Sequence, residues 1–198
     1  MQDFLNFKGK TALVTGAAGA LGKGVAQGLA QCGARVFVTD LRQEQVDATA
    51  AELTAAGYDV AGLAADVTCE AQVKAVVDAA AARFGNVIDI LVNVAGVAGQ
   101  KAVEEITEKE WDFVFAVNCK GTFFFVKHVA PFMKAAKSGK IVNFSSQSGR
   151  MGSALLSHYS AAKGAVITFT QALAHEFAKE NINVNCVCPG VTDNTGVW

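Results

Sequence analysis

Tyr159 and Lys163 lie four residues apart in the segment SHYSAAKGA, whose other residues are small or polar. Side chains four apart on a helix share one face and can interact. A phenol placed there could exchange a proton with a bound molecule, and a neighbouring ammonium would favour the ionised phenol, whose ordinary pKa is about 10. The two residues could instead be a surface pair, so the other motifs have to decide between a reactive pair and a surface pair.

A glycine-rich segment, TGAAGALG, follows the first predicted strand and opens a predicted helix. Glycines allow a diphosphate to approach the backbone, and the N-terminus of the helix offers free N–H groups and positive potential. The same glycines could serve only helix–strand packing, but the strand–turn–helix context favours dinucleotide binding. The predicted contacts in this turn are Gly16, Gly19, Ala20, Leu21 and Gly22.

An acidic residue, Asp40, ends the second predicted strand, 24 residues after Gly16. A carboxylate there can accept hydrogen bonds from both hydroxyls of an adenosine ribose, and it would repel a 2′-phosphate. We therefore predict that Asp40 and Leu41 contact the cofactor, and that the cofactor is NAD rather than NADP. Arg42 leaves NADP open, because a guanidinium could hold the phosphate. Asp40 could also be only a solvated turn residue.

Short apolar runs alternate along the chain with segments of helical periodicity. Continuous apolar runs are typical of strands covered on both faces, and the alternation of strands and helices predicts an α/β fold with a doubly wound parallel sheet. Thr107 and Glu110 form a capping-box pattern at the start of a long predicted helix. The predicted strands are 11–15, 34–40, 60–66, 87–93, 140–146 and 182–188, and the two long helices are 107–136 and 157–180.

The composition indicates one compact domain over residues 1–198, since 52% of the residues are apolar and only two are proline. A net charge of −1 without a basic run gives no electrostatic reason to expect nucleic acid or an anionic membrane. The segment MQDFLNFKGK lacks the apolar stretch of a secretory signal, and no apolar run is long enough to span a membrane. We therefore expect a cytoplasmic protein. The five scattered cysteines and three histidines predict neither disulfides nor a metal site.

Taken in order, these motifs resemble those of the short-chain dehydrogenase/reductase family over essentially the whole chain. The ordered set is TGAAGALG, Asp66-Val67, NVAG at 93–96, Asn118 in VNCKGTFF, Ser146 in IVNFSS, Tyr159-x-x-x-Lys163 and Pro189-Gly190. The resemblance implies a Rossmann fold with strand order 3-2-1-4-5-6, and hydride transfer between a nicotinamide cofactor and a secondary alcohol or ketone. It also implies a homo-oligomer, a dimer or tetramer, paired through the long helices.

The resemblance assigns four catalytic residues. Tyr159 would be the acid–base residue at the substrate oxygen, Lys163 would lower the pKa of that phenol and bind the nicotinamide ribose, and Ser146 would polarise the carbonyl. Asn118 would hold a water that links Lys163 to bulk solvent. The further cofactor contacts that it implies are Asp66, Val67, Asn93, Ala95, Gly96, Pro189, Gly190, Thr192 and Thr195.

Two features depart from the family's pattern. Ala20 stands where the family has its middle glycine, and we expect it to be tolerated if that residue keeps a negative φ. The family also continues, after Pro189-Gly190, through a segment that covers the substrate and a seventh strand. We therefore expect this sequence to be a fragment that ends after the sixth strand, rather than a naturally truncated member.

The segment after Ser146 should border the substrate, with Gln147 and Ser148 joining Ser146 and Tyr159. Its polar character resembles that of family members acting on polyols, sugar alcohols or vicinal diols. His158 could face the substrate, or it could be a solvated residue of the first helical turn.

Four other functions stay open at this point. A 3-oxoacyl-acyl-carrier-protein reductase would use the same residues but normally takes NADP, which Asp40 disfavours. A non-catalytic NAD-binding protein would keep the glycine turn without needing Tyr159 and Lys163. A methyltransferase of the Rossmann type gives no reason for that pair. A serine hydrolase is disfavoured because neither Ser145 nor Ser146 lies in G-x-S-x-G.

Overall fold

The structure, a computed structural model, describes residues 5–192. A six-stranded parallel sheet lies at its centre, with strand order β3-β2-β1-β4-β5-β6. The strands are β1 Thr11–Thr15, β2 Arg35–Thr39, β3 Val60–Gly62, β4 Ile90–Asn93, β5 Gly139–Phe144 and β6 Ile182–Val187. The helices are α1 Ala20–Gln31, α2 Gln43–Ala55, α3 Glu70–Arg83, α4 Glu108–Phe115, α5 Gly121–Ala136, α6 Gln147–Met151 and α7 Ser157–Phe177. The predicted doubly wound α/β fold and its strand order are confirmed.

Helices cover both faces of the sheet, and alternate residues of each strand enter one of two apolar cores. Leu13, Leu91 and Ile141 face the core that includes α3, α5 and α7. Val14 and Val92 face the core on the side of α1 and α2. Because both faces are covered, the central strands are apolar at nearly every position, which is why the sequence shows them as continuous apolar runs.

Two strands are shorter than the sequence predicts by three residues or more. The predicted strand 60–66 is regular only over Val60–Gly62. Beyond it the chain runs beside β2 with isolated bonds, such as that from the Ala65 N–H to the Asp40 carbonyl oxygen at 2.9 Å. The fourth strand begins at Ile90, three residues later than predicted. Both differences lie at strand ends, where apolar pattern alone does not set the hydrogen-bonded boundary.

The predicted helix 107–136 is interrupted by a π-helical segment. Its capping box is present, since the Thr107 hydroxyl accepts the Glu110 N–H at 3.3 Å and the Glu110 carboxylate accepts the Thr107 N–H at 2.8 Å. Helix α4 then passes into the π-helical turn Ala116–Lys120 before α5 continues. Such turns often occur at functional sites, and this one contains Asn118, one of the predicted catalytic residues.

Candidate active site

A cleft opens at the carboxyl ends of the strands, where open α/β sheets bind their ligands. It consists of two adjoining cavities of about 460 and 170 Å³. Leu21, Val94, Gly96 and Val97 line both cavities. The larger cavity follows the glycine turn and the smaller one reaches Ser146, so together they form one elongated site.

The glycine turn between β1 and α1 needs glycine at two positions for its own packing. Gly16 has φ +62°, and a Cβ there would lie 2.8 Å from the Ala95 backbone. A Cβ on Gly22 would overlap the Gly16 carbonyl oxygen. Ala20 is the first residue of α1 and therefore has a helical backbone with negative φ. The turn accommodates this alanine as expected, and Gly19, Ala20 and Leu21 line the larger cavity.

Asp40 joins the glycine turn to the end of β2. One of its carboxylate oxygens accepts the Ala18 N–H at 2.9 Å, and the other accepts the Leu41 N–H at 2.7 Å. Both Asp40 and Leu41 line the larger cavity, while Arg42 is exposed at the N-cap of α2. Asp40 is therefore more than a solvated turn residue: it shapes the turn, and its carboxylate keeps lone pairs for a ligand.

The larger cavity also brings Asp66, Val67, Ala95 and Gly96 together with the glycine turn. Asp66 Oδ1 accepts two hydrogen bonds from Thr68, one from its N–H at 2.8 Å and one from its hydroxyl at 2.7 Å. These bonds fix the conformation of the connection after β3. The four residues come from two separate connections and line one cavity, and their contact with a cofactor stays a prediction.

Asn93 differs from these residues because its side chain lies within the sheet. It is buried, and its amide donates to Asn143 Oδ1 at 2.9 Å. Asn143 in turn donates to the Thr170 hydroxyl on α7 at 3.0 Å. The cleft segment after Asn93 is held by Thr15, whose hydroxyl accepts the next two backbone N–H groups, both at 3.1 Å. Thr15 thus holds the cleft segment in place, a role that the sequence analysis misses. The cofactor contact of Asn93 stays a prediction.

Ser146, Tyr159 and Lys163 line the smaller cavity together. Ser146 is the N-cap of α6, a helix too short for its period to be visible in the sequence, and the other two lie in the first turns of α7. Burial raises the pKa of the Tyr159 phenol, and a hydrogen bond with the Ser146 hydroxyl partly opposes that rise. The structure therefore places the three predicted residues on one wall, with the phenol protonated near neutral pH.

Lys163 is buried, with 4% of its surface exposed. Its ammonium donates to the Phe144 carbonyl oxygen at 2.8 Å and lies 5.8 Å from the centre of the Tyr159 ring. Burial lowers the pKa of Lys163 to about 8. Lys163 is not among the causes of the shift at Tyr159, and its role in lowering the pKa of that phenol beside a bound cofactor stays a prediction. Burial dominates at both groups and favours the neutral form of each.

Asn118 is fully buried in the π-helical turn, where its amide holds the segment after β4. The amide donates to the Val97 and Val114 carbonyl oxygens at 2.8 and 2.9 Å, and Oδ1 accepts the Val97 N–H at 3.3 Å. A Cβ on Gly96 would lie 2.7 Å from Asn118 Oδ1 and 3.1 Å from Lys163 Nζ. Asn118 therefore positions the cleft segment beside Lys163, and its water-binding role stays a prediction.

Ser145 and Gly149 set the close approach of α6 to α7, a role that the sequence analysis misses. The Ser145 hydroxyl donates to the Lys163 carbonyl oxygen at 2.7 Å. A Cβ on Gly149 would lie 2.6 Å from the Lys163 carbonyl carbon and 2.7 Å from the Ser145 hydroxyl oxygen. The available signal is the glycine in SSQSG, three residues after Ser146, since glycine is favoured where two backbones approach closely.

The predicted substrate residues form the polar edge of the smaller cavity. The Gln147 N–H donates to the Pro189 carbonyl oxygen at 2.8 Å, and the hydroxyl oxygens of Ser148 and Ser153 are 2.9 Å apart. The lining at this edge is Gln147, Ser148, Ser153, Pro189, Gly190 and Thr192. Thr195, the alternative to Thr192 as a cofactor contact, lies outside the described residues.

His158 is buried, so the expectation of a solvated residue in the first helical turn is wrong. It is 3% exposed. A Cβ on Gly99 would lie 3.8 Å from His158 Nε2, and within residues 5–192 its Nδ1 has no hydrogen-bond partner. The ring fills the space between α7 and the connection after β4.

Among residues 5–192, no group of three or more His, Cys, Asp or Glu side chains is placed to hold a metal ion. Over that same stretch, no helix combines the length and the apolar character that crossing a membrane requires. The five cysteines are free thiols of intermediate exposure.

One family profile and several known proteins are similar to this chain. The profile of short chain dehydrogenases matches residues 10–198. The chain is 41% identical over 190 residues to a sorbitol dehydrogenase from Cereibacter sphaeroides. It is 42% identical over 190 residues to a galactitol 2-dehydrogenase from Agrobacterium fabrum. Each alignment covers 96% of this chain and 73% of the relative.

A solved structure has the same fold. It comes from Sinorhizobium meliloti 1021, is assigned as a short-chain alcohol dehydrogenase, and superposes with a TM-score of 0.92 at 35% identity. The match covers 96% of this chain and 75% of that one. This chain therefore spans about three quarters of the length of these three proteins.

Proposed function

The chain belongs to the short-chain dehydrogenase family, and on that premise we propose that it is an NAD-dependent polyol dehydrogenase with Tyr159 as its acid–base residue. That it is an oxidoreductase of the alcohol dehydrogenase type follows from the family itself. The observation that supports the role of Tyr159 is that Ser146, Tyr159 and Lys163 together line one end of the elongated cleft.

The residues of the cleft fit a nicotinamide dinucleotide. Gly16 and Gly22 allow the close backbone packing that shapes the turn beside the larger cavity, and the start of α1 supplies backbone N–H groups for a diphosphate. Asp40 would accept the hydroxyls of the adenosine ribose and repel a 2′-phosphate, which supports NAD over NADP. The bound cofactor supplies the hydride chemistry, while the protein positions the reactants and moves the proton.

In this proposal, Tyr159 transfers the proton at the substrate oxygen. Its raised pKa keeps the phenol protonated near neutral pH, so it can donate to a carbonyl oxygen, and alcohol oxidation requires the phenolate instead. The Ser146 hydroxyl, which lowers the pKa of the phenol and partly opposes the effect of burial, would hold the same substrate oxygen. Two hydroxyl groups then converge on one reacting atom, an arrangement that stabilises charge developing on it.

Lys163 contributes both charge and hydrogen bonds. An ammonium has three donors, and one of them is used by the Phe144 carbonyl oxygen. The others would bind the nicotinamide ribose. With a pKa of about 8, the amine is mostly charged at pH 7, and its position 5.8 Å from the Tyr159 ring centre would stabilise the phenolate when it forms.

The polar edge of the smaller cavity supports a polyhydroxylated substrate. The amide of Gln147 and the hydroxyls of Ser148 and Ser153 line it, and such groups can both donate to and accept from neighbouring substrate hydroxyls. Two relatives are named for sorbitol and galactitol. We therefore propose a polyol, sugar alcohol or vicinal diol as the substrate.

The test follows reduced-nicotinamide absorbance with sorbitol, galactitol and a vicinal diol, each with NAD and with NADP. Tyr159→Phe should lower turnover by about 100-fold or more, because general acid–base catalysis is lost, while NAD affinity stays within about twofold. The matched control is Tyr58→Phe, which changes the second of the two tyrosines, a residue packed against the core on the α1 and α2 side. This control should keep full turnover.

The alternatives give different results in the same assay. Turnover that survives Tyr159→Phe would assign the proton transfer to another residue. NAD binding without turnover of any alcohol or ketone would favour a non-catalytic protein. Reduction of an acetoacetyl thioester with NADPH, and no polyol oxidation, would favour an acyl-carrier-protein reductase.

We also propose that the protein is a cytoplasmic homo-oligomer, a dimer or a tetramer. Trp111 on α4 and Phe123 on α5 are 40% and 42% exposed. The Phe123 ring packs edge-on against Phe169 of α7 at 6.3 Å between centroids, so the long helices share one partly apolar surface. Exposed aromatic residues of this kind are enriched in protein interfaces. Sedimentation that shows only monomer at high concentration would contradict the proposal.

A further inference from the structure

Phe113 is an exposed aromatic residue on the wall of the larger cavity. It belongs to α4 and is 55% exposed. Leu41, in the connection between β2 and α2, is 64% exposed and lines the same cavity. Two large apolar side chains from separate parts of the chain therefore remain accessible at one ligand-sized cavity, where an apolar ligand group could cover both.

Ring contacts within the described part of the chain do not account for the position of Phe113. Trp111, two residues earlier on the same helix, stacks on the Phe115 ring at 5.1 Å between centroids. Within residues 5–192, no aromatic ring packs against Phe113, and no cation lies over its face. Its free surface is consequently available to a ligand in the cavity.

The position of Phe113 along the cleft indicates which part of a dinucleotide it meets. Phe113 lines the larger cavity with Asp40 and Asp66, whereas Tyr159 lines the smaller one. If the reactive ring of the cofactor lies at Tyr159 and a ribose lies at Asp40, the remaining planar group is the purine. A purine has two apolar faces, and flat aromatic groups favour offset-stacked contact with such faces.

We propose that Phe113 is the aromatic wall of a purine slot, in which the adenine ring stacks on Phe113 and contacts Leu41. This inference rests on the proposed dinucleotide site. It makes Phe113 a positioning residue for the cofactor, since the side chain contacts no reacting atom. Stacking on an aromatic ring does not read the edge of the base, so Phe113 contributes affinity for a purine rather than selection of one purine.

The test measures binding by isothermal titration calorimetry, with AMP as the purine probe and nicotinamide mononucleotide as the probe without a purine. Phe113→Ala should raise the Kd for AMP about tenfold, which corresponds to the upper range for aromatic stacking. Phe113→Tyr, which keeps the ring, should stay within about twofold of the wild type. Phe113→Leu, which keeps apolar bulk, should lie between them. None of these changes should alter the Kd for nicotinamide mononucleotide.

Trp111→Ala is the matched control, because it removes an exposed aromatic residue from the same helix outside the cavity lining. It should leave AMP binding unchanged, and it also shows what a loss of self-association does to the measurement. Thermal unfolding and sedimentation of every variant accompany the titrations. Phe113 is exposed, so its variants should fold as the wild type does.

The remaining outcomes separate this inference from the proposed function. If the wild type binds NAD and Phe113→Ala binds AMP equally well, the purine slot is wrong and the dinucleotide site stands. If the wild type binds neither AMP nor NAD, both proposals are wrong. Unchanged AMP affinity with altered sedimentation would assign Phe113 to a contact between copies, and an equal loss for both probes would indicate general distortion. Either result would overturn the purine slot.

Discussion

The Lys163 ammonium lies 5.8 Å from the centre of the Tyr159 ring, and it hydrogen bonds to the Phe144 carbonyl oxygen at 2.8 Å. Burial raises the pKa of Tyr159 and lowers that of Lys163 to about 8. Burial therefore favours the neutral form of both groups, so at pH 7 the phenol is protonated while the amine keeps most of its charge. A ligand that adds hydrogen bonds or charge at this wall would shift the pKa of both, which makes proton transfer there dependent on a filled cleft.

The buried amine of Lys163 should make stability rise with pH. Its pKa is about 8 in the folded protein and about 10.4 when exposed, so between these values the unfolded chain binds a proton that the folded chain does not. Stability rises with pH wherever the unfolded state binds more protons. This residue's contribution to the free energy of unfolding should increase by about 2 kcal/mol between pH 7 and pH 9.5.

Urea unfolding of the wild type and Lys163→Met at these two pH values measures that contribution. The difference in the free energy of unfolding should move by this amount in favour of the wild type as the pH rises. Tyr159 does not titrate in this window, because its pKa is raised from the ordinary value of about 10. A difference that stays constant with pH would show that the pKa of Lys163 is not lowered in the folded protein.

Gly149→Ala should displace the wall formed by Ser146, Tyr159 and Lys163 without changing any of these three side chains. The new Cβ would lie 2.6 Å from the Lys163 carbonyl carbon, and we expect a loss of about 1–3 kcal/mol in unfolding free energy, with turnover reduced at least tenfold. The control is Gly28→Ala on α1, where a Cβ would meet nothing within 4 Å. That change should stabilise the helix by about 0.5–1 kcal/mol. Equal effects of the two substitutions would contradict a close α6–α7 approach.

Asp40 should be difficult to replace without loosening the glycine turn. Asp40→Asn removes the negative charge and keeps an oxygen for only one of the two N–H groups, Ala18 and Leu41, so we expect the ratio of the Kd for NADP to that for NAD to fall at least tenfold, with a smaller loss of stability than in Asp40→Ala. Asp40→Ala leaves both N–H groups without their acceptor, and stability should fall by about 1–2 kcal/mol. Calorimetric titration and urea unfolding separate the two effects. An unchanged Kd ratio in both variants would indicate that Asp40 does not select the cofactor.

Asn118→Asp should disrupt the contact with the segment after β4. The new carboxylate would place a negative charge against the Val97 and Val114 carbonyl oxygens, which now accept from the amide. A buried charge with only the Val97 N–H as a donor costs about 3 kcal/mol or more at pH 7. Burial raises the pKa of such a carboxyl group, so the folded state holds its proton longer and part of the stability should return near pH 5. Asn86→Asp, at an exposed site, should show neither effect. Equal stability of both variants would place Asn118 outside the packing of the cleft.

Asn93 and Asp40 show why the sequence predicts candidate residues but not their hydrogen-bond partners. Asn93 belongs to a recognisable motif, yet its amide bonds to Asn143, 50 residues away, and no local pattern records that partner. Asp40 was predicted from its place after a strand, but its bond to the Ala18 N–H depends on how the turn folds back over β2. In both cases a local motif pointed to the residue, and its hydrogen-bond partners in the folded chain were not predictable.

The sequence by itself determined the strand–helix alternation, the glycine turn, and the order of Ser146, Tyr159 and Lys163 along the chain. These features depend on neighbouring residues, so periodicity and spacing record them. Only the tertiary structure decided the π-helical turn at Asn118 and the close packing of Gly149 against α7. The same holds for the exposure of the Phe113 ring and for the direction of the pKa shift at Tyr159. Each of these depends on burial and on contacts between distant segments, and both arise only when the chain has folded.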